Sequence, residues 1–169
     1  MTAPVTASRP TVRLTPKAEV RAIRHGFPWV YANELVMDRR TRKIAPGTVA
    51  VLEDAQRKPL GLVGFNPGSK IAARMLTRDA DTQIDAAWFA ARLQKALDHR
   101  ARLYDSPFYR LVHAEADGLP GVVIDRFGDV AVVQPNAAWA DARVEMLITA
   151  LAEVTGVQTV VMNGTGRAR

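Results

Sequence analysis

Apolar residues come in short runs through the first half of the chain and at helical spacings through much of the second. Residues 12–14, 49–53, 60–65 and 71–76 each hold a brief run rich in Val, Leu, Ile or Phe, and polar or Gly/Pro segments separate them. Short apolar runs bounded by such breakers read as strands. Thr15 ahead of Pro16 predicts a helix over residues 17–23, with Thr15 as N-cap and Pro16 where the first turn tolerates a missing N–H; Gly26 ends it. Pro28 pushes Phe27 into an extended conformation. One short helix among several short strands predicts a small, partly closed β-barrel over residues 11–78, preceded by a loose tail over residues 1–10.

The pattern changes after residue 78. Residues 77–83, with Asp79, Asp81 and Thr82, are polar and mark a boundary. Beyond it Phe89, Leu93, Ala96, Leu97 and Leu103 recur on one helical face, Arg92, Lys95, Asp98 and Arg102 surround them, and Asp85 is placed to cap the start. This helix is positioned to link and brace the two units. Residues 110–116, 122–127 and 130–134 read as strands, the last two joined by the hairpin signal Gly128-Asp129. A second helix over residues 138–154, closed by Gly156, and a strand over residues 159–162 complete the order. The fold class is therefore α+β: a small barrel, then over residues 79–169 a largely antiparallel sheet with a covering helix. Such a sheet without a further helix predicts that the gene product continues past Arg169.

Charge adds a functional direction. Residues 1–78 carry 14 Lys and Arg against 5 Asp and Glu, a net +9, whereas residues 79–169 carry 9 against 12, a net −3. A basic unit joined to a mildly acidic one is the footprint of a nucleic-acid-contacting module attached to something with another task. At 48% hydrophobic and 24% charged residues, the 169-residue chain can bury a core and is not expected to be disordered. With no cysteine, disulfides, zinc ribbons, iron–sulfur ligation and a cysteine nucleophile are excluded within these residues. Residues 144–154, interrupted by Glu145 and Glu153, fall short of the roughly 20 apolar residues a spanning helix needs, and the first ten residues lack a secretion signal. A cytoplasmic protein with no membrane partner is expected.

Four segments could carry chemistry. In the run from Arg24 to Tyr31, cations precede aromatic rings in a constrained loop, offering phosphate contacts and stacking faces together, which suits single-stranded or looped RNA. Trp29 is expected in the core there, with Arg24 and His25 exposed. The loop Asn66-Pro67-Gly68-Ser69-Lys70, followed by Arg74, can set backbone N–H groups and an ammonium against phosphate, or serve as a plain hairpin turn. His113, Glu115 and Asp117 alternate along an expected strand and so share a face, which could hold a divalent cation, although ordinary polar-out alternation ending in turns is the favoured reading. Asn163-Gly164-Thr165-Gly166 lacks the third glycine, the helix and the downstream acid of a dinucleotide loop.

The segments Gly26-Phe27-Pro28-Trp29-Val30, Pro46-Gly47, Leu60-Gly61 and Gly64-Phe65-Asn66-Pro67, together with Ser69 and Arg74, form a recognisable set. Tyr109-Arg110-Leu111-Val112, running into Glu115-Ala116-Asp117-Gly118-Leu119-Pro120-Gly121 with Asp125-Arg126, extends it. Over residues 11–163 the chain resembles the N-terminal part of the bacterial class I S-adenosylmethionine-dependent methyltransferases that act on cytosine C5 of large-subunit (23S) rRNA. The resemblance implies a PUA domain, then a small α+β domain, then a Rossmann-like catalytic domain beyond Arg169. The catalytic cysteines and the S-adenosylmethionine loop belong to that third domain, so no catalytic, cofactor-binding or metal-binding residue carries over. Phe27 stands where relatives carry His. The implied partner is 23S rRNA, with Arg24, His25, Lys70, Arg74 and Arg78 on phosphate and Tyr31 stacking on a base. The alternative is a stand-alone RNA-binding adaptor without catalysis, and the sheet edge after Met162 offers a homodimer contact or a docking site for further strands.

Overall fold

The first sheet buries residues into two clusters, one inside the barrel and one against the second unit. The structure, a computed structural model, describes residues 9–164; most of the expected tail and residues 165–169 lie outside the described residues. Strands β1 (Thr11–Arg13), β2 (Trp29–Tyr31), β3 (Thr48–Glu53), β4 (Pro59–Phe65) and β5 (Ile71–Thr77) form one sheet in the order β1-β3-β4-β5-β2, with β1 parallel to β3 and the other pairs antiparallel. Val12, Val30, Ala50, Leu52, Val63, Phe65, Ala72 and Ala73 bury together with Ile23 and Leu35. Because Val12 and Val30 sit on opposite edge strands yet share this core, the sheet must curl. Its edges meet where Leu14 bridges Leu35, reinforced by Thr15 N donating to Glu34 O (2.8 Å) and Val36 N to Arg13 O (2.8 Å). The result is the expected partly closed barrel.

That closure moves the first helix. The backbone of Thr15 is held in the seam, and Ala18 N closes a turn onto Thr15 O, so α1 (Val20–Arg24) begins after Glu19 rather than at residue 17, with no side-chain cap. Asp38 caps the single turn α2 (Arg39–Arg42) by accepting from Thr41 N.

The second unit holds α3 (Ala86–Ala101), β6 (Phe108–His113), β7 (Val122–Phe127), β8 (Val130–Pro135), α4 (Ala138–Asp141), α5 (Val144–Thr155) and β9 (Thr159–Met162). The sheet order is β6-β7-β8-β9, antiparallel except for the parallel β8–β9 pair, and α3 packs on α5. Asp85 caps α3 by accepting from Trp88 N (2.9 Å). Three expectations shift. Leu103 lies beyond the end of α3 and is exposed. The single helix expected over residues 138–154 is broken at Ala142-Arg143, where the Arg143 guanidinium donates to Trp139 O and to Gly47 O in the barrel. The strand expected to reach residue 116 stops at His113, because Asp117 folds back to accept from His113 N and a 3-10 turn, Ala114–Asp117, follows.

The two units share one core. Val49, Leu62 and Leu76 of the barrel belong to the same buried cluster as Trp88, Phe89 and Leu93 of α3, Trp139 of α4, and Leu147 and Leu151 of α5. Phe89 and Trp139 stack with centroids 6.0 Å apart, and Trp88 meets both edge-on. Outside this core, Arg9 ties the start of the described chain to the boundary segment through Ala80 O, Thr82 O and Gln83 Oε1. Among the described residues no helix is long and apolar enough to cross a membrane.

Candidate nucleic-acid interface

Among the described residues strand β2 is an edge strand that pairs only with β5, and their register decides which side chains become neighbours. Trp29 lies opposite Arg74, Val30 opposite Ala73 and Tyr31 opposite Ile71, with an irregularity between Val30 and Tyr31. Val30 is buried in the barrel, which leaves Trp29 and Tyr31 to the outer face. Ala32 N donates to Lys70 O, so Lys70 sits beside the Tyr31 end of the ribbon. At the other end Gly26, at φ +107°, packs so close to Arg78 that a Cβ there would lie 3.3 Å from its guanidinium. His25 and Arg24 immediately precede it.

Long-range pairing thus lines up Tyr31, Lys70, Arg74 and Arg78 on one ribbon, with His25 at one end. Lys70 and Arg78 are exposed, and neither has a hydrogen-bonded or ion-paired side-chain partner among the described residues. Tyr31 and Phe27 are exposed rings, Phe27 meeting Trp29 edge-on at 6.2 Å. His25 is exposed and its Nδ1 lies 2.7 Å from Arg21 O. The Arg24 guanidinium turns aside to Asp54 (3.1 Å), whose 2%-exposed carboxylate also accepts from Gln56 N and Lys58 N, yet more than half of Arg24 remains in solvent.

Arg74 is committed elsewhere. Its Nη1 donates to Glu115 Oε1 at 2.6 Å, and the same oxygen accepts from Trp29 Nε1 at 2.7 Å, while the guanidinium lies 5.8 Å from the Trp29 ring centroid. Burial by itself would raise the Glu115 pKa, but the Trp29 and Arg74 hydrogen bonds, the local backbone N–H and the Arg74 charge outweigh it and hold the carboxyl below its usual range. Trp29, expected as barrel core, is instead half-buried at this junction. Asp117 accepts from Arg100 Nη2 (2.6 Å). The shared face expected for His113, Glu115 and Asp117 therefore does not form, since the strand ends at His113 and both carboxylates already hold arginines. The Asn66–Lys70 loop is satisfied as a turn, with Gly68 N donating to Asn66 Oδ1 and Ser69 N to Asn66 O.

Three comparisons bear on this arrangement. Residues 12–78 match the family model of a PUA-like domain. The chain is 39% identical over 148 residues to a ribosomal RNA large subunit methyltransferase of Deinococcus radiodurans, covering 82% of this chain and 36% of that protein. It is 38% and 37% identical over 138 residues to ribosomal RNA large subunit methyltransferase I of Cronobacter sakazakii and of Shigella flexneri, in each case covering 80% of this chain and 34% of the relative. The chain thus spans about a third of the length of the curated relatives it matches. Among solved structures, one described as a SAM-dependent methyltransferase from Streptococcus mutans superposes with a TM-score of 0.75 at 16% identity, covering 90% of this chain and 40% of that one. A second, described as a methyltransferase and complexed with SAH, gives 0.74 at 15%, covering 93% and 40%. At these identities the structural likeness shows the fold.

Proposed function

We propose, on the premise that residues 12–78 form a PUA-like domain and that about four-fifths of the chain is homologous to ribosomal RNA large subunit methyltransferases, that this is the RNA-recognition portion of such an enzyme. The full reading is an S-adenosylmethionine-dependent methyltransferase acting on cytosine C5 of 23S rRNA, in which this portion binds structured rRNA and presents it to a catalytic domain. The observation that carries the RNA-binding part is the β2–β5 ribbon. Two cations without a counter-ion among the described residues, Lys70 and Arg78, flank exposed aromatic rings on the outer face of a unit with a net charge of +9. Cations neutralise phosphates and release counter-ions, while rings accept unstacked bases, so the two together suit looped RNA better than regular duplex. Arg24 and His25 extend the same end. Arg74 contributes by holding the ribbon to the second unit and shares its charge with Glu115.

The described residues do not fit S-adenosylmethionine. Chain passes from β8 to α4 through Asn136 and Ala137, with no glycine-rich turn to admit a nucleotide against a helix N-terminus. On this reading the chain grips and orients RNA and supplies no group to methyl transfer.

The test is a salt-dependent titration of the chain with a looped 23S rRNA fragment and a matched DNA duplex. The native chain should prefer the RNA and weaken steeply with salt. The triple substitution Tyr31→Ala, Lys70→Glu, Arg78→Glu should lower affinity by about tenfold or more and flatten the salt slope by about 0.7 per lost contact. Unchanged affinity and slope in that variant would overturn the ribbon as the RNA-binding face.

A further inference from the structure

The second unit carries its own cationic track, which its net negative charge conceals. A groove of about 670 Å³ runs between α3 and the Ala114–Asp117 turn, lined by Arg92, Lys95 and His99 on one side and by Glu115 and Asp117 on the other. It continues along α3 into a shallower depression of about 450 Å³ bordered by Lys95, Asp98, His99 and Arg102. Positions 92, 95, 99 and 102 follow the three- and four-residue steps that put side chains in a row on a helix.

The charges in this groove do not cancel. Glu115 and Asp117 are each held by an arginine that does not line it, Arg74 and Arg100. Arg92 is half-buried, stacks on the Trp88 ring with its guanidinium carbon 3.6 Å from the centroid, and donates to Gly118 O and Leu76 O. No carboxylate pairs with it among the described residues, and burial lowers its pKa, as expected of a cation removed from water without a counter-ion. Lys95 and His99 likewise have no hydrogen-bonded or ion-paired side-chain partner among the described residues, and Asp98 takes only a hydrogen bond from Gln94. In the deeper groove the acids are neutralised from outside while Arg92 and Lys95 keep their charge, so it is built to receive an anion; Asp98 borders only the shallower depression.

We propose that this groove binds the sugar-phosphate backbone of the same RNA strand that the β2–β5 ribbon holds, so that RNA crosses from the barrel onto α3. The inference rests on the RNA-binding reading of the ribbon. An open track of cations spaced along a helix suits a polyanion, whereas a free phosphate calls for convergent donors around one point. Continuity comes from Glu115, which lines the groove while accepting from Trp29 and Arg74 at the ribbon.

The experiment compares three forms of the chain in salt titrations with the same looped rRNA fragment: native, Lys95→Glu with His99→Glu, and Lys70→Glu with Arg78→Glu. Both altered pairs are exposed, and thermal melting verifies the fold of each variant. The groove variant should bind about five- to twentyfold more weakly, with a salt slope about 0.7 to 1.4 shallower. Acetylation of Lys95 by a lysine-reactive reagent should slow when the RNA is bound. If the groove variant binds like the native chain while the ribbon variant is weakened, the groove proposal falls and the ribbon stands. If only the groove variant is weakened, the ribbon reading falls, and the proposed crossing from barrel to α3 falls with it, leaving RNA on the groove alone. An absence of RNA binding by the native chain overturns both. Protection of Lys95 by inorganic phosphate at matched ionic strength as complete as that by RNA would mark a free-anion site and overturn the assignment to an RNA backbone.

Discussion

One carboxylate oxygen, Oε1 of Glu115, accepts both the Trp29 indole N–H and the Arg74 guanidinium, and both donors come from the barrel. Because these contacts hold the folded carboxyl below its ordinary range, the charged form stabilises the fold. That stability is present in full above the unfolded value of about 4.3 and is lost as pH falls through the depressed folded value, where folding no longer favours losing the proton. Urea denaturation of native protein should therefore show falling stability below about pH 5, and Glu115→Gln should flatten that fall; superimposable pH profiles would refute the clamp. Glu115→Ala should cost about 1–3 kcal/mol at neutral pH, since two part-buried donors lose their acceptor. Gly64 makes a second residue-scale point. It sits in β4 with the Trp139 ring against it, and an added Cβ would come within 2.4 Å of Cγ of that ring. Trp139 is fully buried and its Nε1 donates to Pro120 O, so it cannot swing away freely. Gly64→Ala should destabilise by about 1–3 kcal/mol, and pairing it with Trp139→Leu should give less than the sum of the single effects. Strict additivity in chemical denaturation would rule out the direct clash.

At the scale of elements, what was local was legible. Asp85 three residues before Trp88 marked the start of α3, and the structure places its carboxylate on Trp88 N. Asp85→Ala should lower stability by about 1 kcal/mol, with Asp85→Ser restoring most of it; equal stability of all three in urea would show that the cap contributes nothing. Gly128-Asp129 marked the β7–β8 turn and Gly156 the end of α5, each glycine adopting the positive φ that the turn or cap requires. Elements whose limits depend on distant partners were not legible. The helix expected from residue 17 starts later because Thr15 is drawn into the barrel seam by Glu34, and the helix expected over residues 138–154 breaks where Arg143 reaches a carbonyl 96 positions away. The site divides the same way. Loops and composition pointed to cations and rings, but only the β2–β5 register reveals that Tyr31 and Lys70 adjoin, and only the tertiary fold supplies Arg74 with Glu115. On α3, Arg92, Lys95, Asp98 and Arg102 read from the sequence only as the polar surround of an apolar face, and the groove exists only because the chain turns at Ala114–Asp117.

Across the whole molecule, charge and packing draw different boundaries. Charge divides the chain near residue 78, but the apolar core does not: Val49, Leu62 and Leu76 bury against Trp88 and Trp139, while Arg92 and Arg143 donate to barrel carbonyls. A barrel separated from α3 and α4 would expose those three side chains and the face of Gly64 that Trp139 covers, forfeiting apolar burial worth about 1.5–3 kcal/mol per large residue. The chain should therefore unfold as one cooperative unit. Its three tryptophans, Trp29, Trp88 and Trp139, all lie where the units meet, so fluorescence reports the junction while far-UV circular dichroism reports both sheets. The two signals should give coincident urea transitions, and proteolysis within residues 79–83 should leave no folded 9–78 fragment. Two resolved transitions, or a stable barrel fragment, would mean the units are independent. Cooperativity bears directly on RNA binding. If the ribbon and the α3 groove cannot move apart, a strand that occupies one meets the other at fixed geometry, and the ordering cost of binding is reduced in advance. Weakening the junction with Trp139→Leu, which is buried in the shared core and changes no charge on either surface, should then reduce affinity for a long looped RNA that reaches both surfaces more than for a short one that reaches only the ribbon. An equal loss for both lengths would show that the junction serves stability alone.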